Sequence, residues 1–137
     1  MAAAMQSHAV DFDAVVATGL IKTYGATRAL AGVSLTLEKG EVTWVEGHNG
    51  SGKSTLLAIL ATLVRPTRGA VNYGTHDASA VRGRIGVLGH APMLYPDLSG
   101  RENLALVASL HGLSAASVDA QVAARELTSF VDRPVRT

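Results

Sequence analysis

The sequence contains no cysteine, which excludes disulfides, thiolate metal sites and cysteine nucleophiles and fits a reducing compartment. It also lacks charge of either sign in excess: twelve Lys and Arg stand against eleven Asp and Glu, a formal net charge of +1. Nucleic-acid binders meet phosphate with a clearly basic face, so this balance points away from nucleic acid as a partner. Long apolar runs are missing too. The most apolar stretch, Leu56 to Val64, falls far short of the roughly 20 residues that a helix needs to cross a bilayer. Membrane association is therefore expected only through a partner. Residues 1–16 carry His8, Asp11 and Asp13 but neither the basic nor the apolar region of a secretory signal, and 1–14 are expected to form a flexible lead-in. There is no internal repeat, low-complexity tract or run of coiled-coil heptads.

What is present suffices for one globular domain, since 47% of the 137 residues are hydrophobic and 17% charged. Residues 15–24 and 33–37 have strand composition, and the turn Glu38-Lys39-Gly40-Glu41 leads into a third strand at 42–46, an antiparallel start. Leu56, Leu57, Leu60, Leu63 and Val64 recur on one helical face, in a helix that should stop at Arg65-Pro66. A turn at Thr67-Arg68-Gly69 introduces a strand at 70–73. Residues 74–83 have loop composition, and 84–88 strand composition. Ser99 and Glu102 have capping-box spacing, Leu104, Val107 and Leu110 form a helical stripe, and Gly112 closes it. A second helix at 115–131 carries Val118, Val122, Leu127 and Phe130 on one side.

The chemistry is concentrated at Gly47-His48-Asn49-Gly50-Ser51-Gly52-Lys53-Ser54, which satisfies G-x-x-x-x-G-K-[ST] at every defined position. It follows an apolar strand and opens an apolar helix, the setting in which backbone N–H groups converge on an anion. Gly50 and Gly52 allow positive φ and a close approach of N–H groups to phosphate oxygens. Lys53 offers a compact positive charge to β and γ phosphates, and the Ser54 hydroxyl is a hard oxygen ligand suited to Mg²⁺. The alternative is a structural glycine-rich turn. His48 occupies an unconstrained motif position and reads as a solvent-facing loop residue. Arg82 and Arg84 are either contacts to phosphate or partner, or solvated charges beside a strand.

The run from Gly47 to Leu60 resembles the Walker A loop of ABC (ATP-binding-cassette) ATPases, in which an asparagine and a glycine precede the last glycine pair. Lys22-Thr23-Tyr24-Gly25 resembles the family's A-loop, whose aromatic ring stacks on adenine; the plainer reading of Tyr24 is a strand-end tyrosine. Leu94-Tyr95-Pro96-Asp97-Leu98-Ser99, followed by Arg101-Glu102-Asn103-Leu104, resembles the segment after the family's Q-loop, where the core passes into a helical subdomain. The resemblance covers about residues 15–131.

It implies an α/β fold: a P-loop NTPase core with an antiparallel β start and the beginning of a helical subdomain. A partial nucleotide-binding domain would occupy 15–137, with the core reaching about 98 and the helical subdomain about 99–131. It implies ATP and Mg²⁺ as cofactors, with nucleotide contacts from Tyr24, Gly47, Asn49, Gly50, Ser51, Gly52, Lys53, Ser54 and Thr55, and Mg²⁺ at Ser54. The implied activity is ATP hydrolysis coupled to transport. The implied partners are a membrane-spanning transporter subunit and a second ATP-binding subunit, and the implied location is cytoplasmic, peripheral on the inner face of the cell membrane.

One position departs from the family pattern. His90 stands where most members carry the Q-loop glutamine, which reaches Mg²⁺ and the attacking water. Imidazole is a poorer Mg²⁺ ligand than oxygen, so a catalytic His90 would act through water or as a hydrogen-bond sensor. Leu88-Gly89-His90, with Pro92 two residues on, resembles the haem-exporter branch, which serves cytochrome c maturation; an exposed loop histidine fits equally well. No LSGGQ-like signature, apolar strand ending in Asp-Glu, or switch histidine occurs within the 137 residues. A truncated chain is thus expected, one that binds nucleotide with little turnover of its own. A different P-loop ATPase or phosphotransferase is the remaining alternative.

Overall fold

The computed structural model describes residues 13–90 and 93–136; most of the expected lead-in, residues 1–12, lies outside them. Contacts divide the chain into two units between Val87 and Leu88.

The first unit begins with a hairpin of long strands, β1 (Ala14–Tyr24) and β2 (Thr27–Glu38), rich in the β-branched residues that suit a pleated surface. With β3 (Arg68–Asn72) they form an antiparallel sheet in the order β2-β1-β3. Both ladders on β1 shift register near Thr18 and Gly19. Such an irregularity breaks the period of two, which is how Ala17 and Leu20, three residues apart, both enter the core. There they meet Leu30 of β2, with Leu56 and Ile59 of α1 (Lys53–Leu60). Burying each of the larger side chains contributes about 1.5–3 kcal/mol. Tyr73 closes the end of this region: its hydroxyl donates to the Leu60 carbonyl at 2.7 Å, and burial raises its pKa.

Several expectations need correction. Helix α1 ends at Leu60, short of Arg65-Pro66, because Thr62 takes a left-handed φ of 60°. The Leu63 and Val64 N–H groups then both return to the Ala58 carbonyl, and Val64 packs back on the core. Ile59, not Leu57 or Leu63, is buried beside Leu56. Segments 42–46 and 84–88 are not strands. No strand among the described residues pairs with either, and without a ladder an apolar sequence cannot satisfy its backbone as a strand. Val42 is 96% exposed and Trp44 81%. Residues 74–83 are not all loop: α2 (Ala78–Arg82) starts there, capped by Asp77, whose carboxylate accepts from the Ser79 and Ala80 N–H groups at 2.8 and 2.9 Å. Hydrogen bonding from the Ser79 side chain, with these two N–H groups, lowers the Asp77 pKa.

The second unit packs α3 (Gly100–Leu110) against α4 (Ala115–Ala124). Ser99 and Glu102 form the expected capping box. Gly112, with φ 67°, follows α3 and lets the Leu113 N–H reach the Ala108 carbonyl at 2.8 Å. The core of this unit is Ala108, Val118, Val122 and Val131. The stripe expected at Leu104, Val107 and Leu110 is exposed; Asn103 and Ala108 turn inward instead. Helix α4 stops at Ala124, well before 131, since Glu126 adopts φ 56° and the Leu127 N–H returns to Val122. That reversal brings Val131 into the core and leaves Phe130 outside.

Candidate functional site

Residues 47–52 turn directly into α1, whose N-cap is Gly52 at φ 93° with no side-chain cap. A Cβ at Gly52 would sit 2.4 Å from the Ala29 carbonyl oxygen and 2.8 Å from Leu30 Cδ2. Glycine is thus what lets the loop lie directly on β2. The Ser51 N–H donates to the His48 carbonyl at 3.2 Å, tightening the turn. Lys53 reaches back over the loop, its Nζ donating to the Gly47 and His48 carbonyls at 2.6 and 2.9 Å.

A full positive charge is therefore held at the loop beside the uncapped N-terminus of α1, where the helix dipole adds partial positive charge. N–H groups of the first helical turn have no intrahelical acceptor. The residues fit a phosphate group on these grounds, and Ser54, exposed in the first turn, provides the hydroxyl oxygen that a hard cation requires. Thr55 lies in the same turn, and Asn49, Gly50 and Ser51 form the exposed crest of the loop.

Tyr24 ends β1 and pairs across the hairpin with Thr27. The residue is 49% exposed. Ala29, which backs Gly52, lies two residues beyond Thr27 on β2; the aromatic and the phosphate loop thus share one stretch of that strand. Lys22, missed from sequence, places its Nζ 4.9 Å from the Tyr24 ring centroid. The signal was available, because residues two apart on a strand share a face.

His90 is exposed and belongs to the second unit, whereas the loop, Lys53 and Tyr24 belong to the first. His48 is exposed, as expected. Arg82 donates from Nε to Thr62 Oγ1 at 3.3 Å, and Arg84 is exposed.

The arrangement is that of a P-loop on an α/β fold. A family model described as ABC transporter matches residues 30–137, and the chain belongs to that family, among its ATP-binding subunits. It is 44% identical to the daunorubicin resistance ATP-binding protein DrrA3 of Streptomyces coeruleorubidus, over 74% of this chain and 34% of the relative. The cytochrome c biogenesis ATP-binding export protein CcmA of Methylococcus capsulatus is 37% identical over 88% of this chain and 61% of its own length. Among solved structures, an ATP binding subunit of an ABC transporter superposes with a TM-score of 0.72 at 26% identity, covering 88% of this chain and 53% of that one. The chain thus spans between about a third and three fifths of the length of these relatives.

Proposed function

We propose that this chain binds ATP with Mg²⁺ as the nucleotide-holding part of a transporter ATPase. The observation that carries the reading is the Lys53 ammonium, drawn over the loop by the Gly47 and His48 carbonyls beside the uncapped start of α1. In this reading the N–H groups of Gly50 to Thr55 and the Lys53 charge bind the β and γ phosphates, with Asn49 and Gly47 shaping the crest. Ser54 would hold Mg²⁺, which when bound would offset phosphate charge. Tyr24 stacks on adenine. His90 is assigned a water-mediated part in catalysis, in place of the family's glutamine.

Charge-assisted contacts are roughly twice as strong as neutral ones, so Lys53→Ala should lower ATP affinity at least about tenfold in calorimetry. An unchanged affinity would overturn the assignment.

The family resemblance supports a membrane-spanning partner, pairing with a second ATP-binding subunit, and a cytoplasmic location on the inner face of the membrane. For cargo, the Leu88-Gly89-His90 run and the likeness to CcmA support haem export for cytochrome c maturation. The higher identity to DrrA3 makes a part in drug resistance the rival. Deleting the gene decides: normal cytochrome c maturation would remove the haem reading.

A further inference from the structure

We infer that Lys22 is a positioning residue for the nucleobase, clamping one face of Tyr24 so that only the opposite face is presented to adenine. This rests on the ATP-binding reading above.

Lys22 Nζ lies 4.9 Å from the centroid of the Tyr24 ring, within cation–π range. The same ammonium donates to the Arg65 carbonyl at 2.9 Å, in the segment that leads from α1 back to the sheet. That segment is itself tied to β1, since the Thr67 N–H donates to the Ile21 carbonyl at 2.7 Å and Thr67 Oγ1 accepts from the Thr23 N–H at 3.1 Å. The cation is therefore fixed by backbone before it meets the ring. A tyrosine at the end of a strand, half exposed, would otherwise sample several rotamers. With Lys22 over one face, the ring is held in a single orientation. The cation also draws electron density away from the far face, and a less negative π-face stacks better on a base.

The consequence is specific to ligands that carry a base. Lys22→Met should weaken ATP binding about two- to fivefold, the scale of a cation–π contact at an exposed site. It should leave inorganic tripolyphosphate binding unchanged, and Lys22→Arg should restore ATP affinity. In a Tyr24→Ala background, Lys22→Met should have no further effect. These titrations are made on the full 137-residue chain with matched circular dichroism spectra.

Equal losses for ATP and tripolyphosphate would show that Lys22 acts on phosphate or on the fold, and would overturn the proposal. So would a loss that persists without Tyr24, or an unaltered ATP affinity in Lys22→Met. Those results leave the Lys53 site standing. A parent chain that binds neither ligand would instead remove the nucleotide reading, and this inference with it.

Discussion

At the scale of single residues, Gly52 joins fold to site. Its φ of 93° sets the start of α1, and its missing Cβ allows the loop to rest on the Ala29 carbonyl. An alanine there meets both a left-handed backbone and a 2.4 Å clash with main-chain oxygen that cannot rotate aside. Gly52→Ala should cost about 2 kcal/mol or more of stability and weaken ATP binding, measured by denaturant unfolding and calorimetry. A variant as stable as the parent would mean that the loop does not sit on β2 as described. Asn103 is a residue of a different kind: it is buried, yet every polar atom of its side chain is used. Its Oδ1 accepts from the Tyr95 N–H at 2.8 Å, and its Nδ2 donates to the Tyr95 and Ser99 carbonyls at 3.1 and 2.9 Å. A side chain thus holds residues 95–99 against α3 in place of secondary structure. The sequence placed Asn103 in a family-like segment but carried no sign that it would turn inward, since a polar residue on a helix is by default solvent-facing.

At the scale of elements, both ends of α3 were legible, whereas the start of α2 and the ends of α1 and α4 were not. Ser99 and Glu102 announce α3 because a cap is a local affair of four residues: Ser99 Oγ accepts from the Glu102 N–H at 3.2 Å and Glu102 Oε2 accepts from the Ser99 N–H at 2.7 Å. Gly112 was readable for the same reason. The ends of α1 and α4 use Thr62 and Glu126 in left-handed geometry, a conformation those residues rarely adopt, and only core packing after the turn makes it worthwhile. The capping box also sets a pH dependence. Hydrogen bonds from the Ser99 backbone and side chain lower the Glu102 pKa. A carboxylate whose folded value is depressed stabilises fully above its unfolded value of about 4.3, and that contribution is lost as pH falls through the lower folded value. Parent and Glu102→Gln, in which the amide keeps the box but does not titrate, should therefore converge in denaturant stability as pH drops toward that value. A difference independent of pH would contradict the cap.

At the scale of the whole molecule, the notable feature is apolar surface left uncovered on both units. Val42 and Trp44 flank the phosphate loop in sequence, and Leu88, Met93 and Leu110 are 100%, 84% and 78% exposed. Strands that belong in the middle of a parallel sheet are buried on both faces, and 42–46 has that composition without a ladder partner among the described residues. Trp44 is the only tryptophan, so the point is measurable. Its emission should be that of a water-exposed indole, open to acrylamide quenching in the 137-residue chain. A blue-shifted, protected emission would show that segment 42–46 is covered.

The sequence alone determined what depends on short-range covalent spacing. The phosphate loop from Gly47 to Ser54 is one such feature, as is the cap at Ser99. In each of these the chemistry lies within a few residues, and a spacing is enough to specify it. Tertiary structure alone decided which apolar residues are buried, where α1 and α4 stop, that the Lys22 ammonium is tied to the Arg65 carbonyl, and that 42–46 and 84–88 remain irregular. Those outcomes turn on partners distant in the chain. A strand needs a neighbour to accept its hydrogen bonds, and a left-handed turn is stable only when the residues after it, here Val64 and Val131, reach a core to pack against.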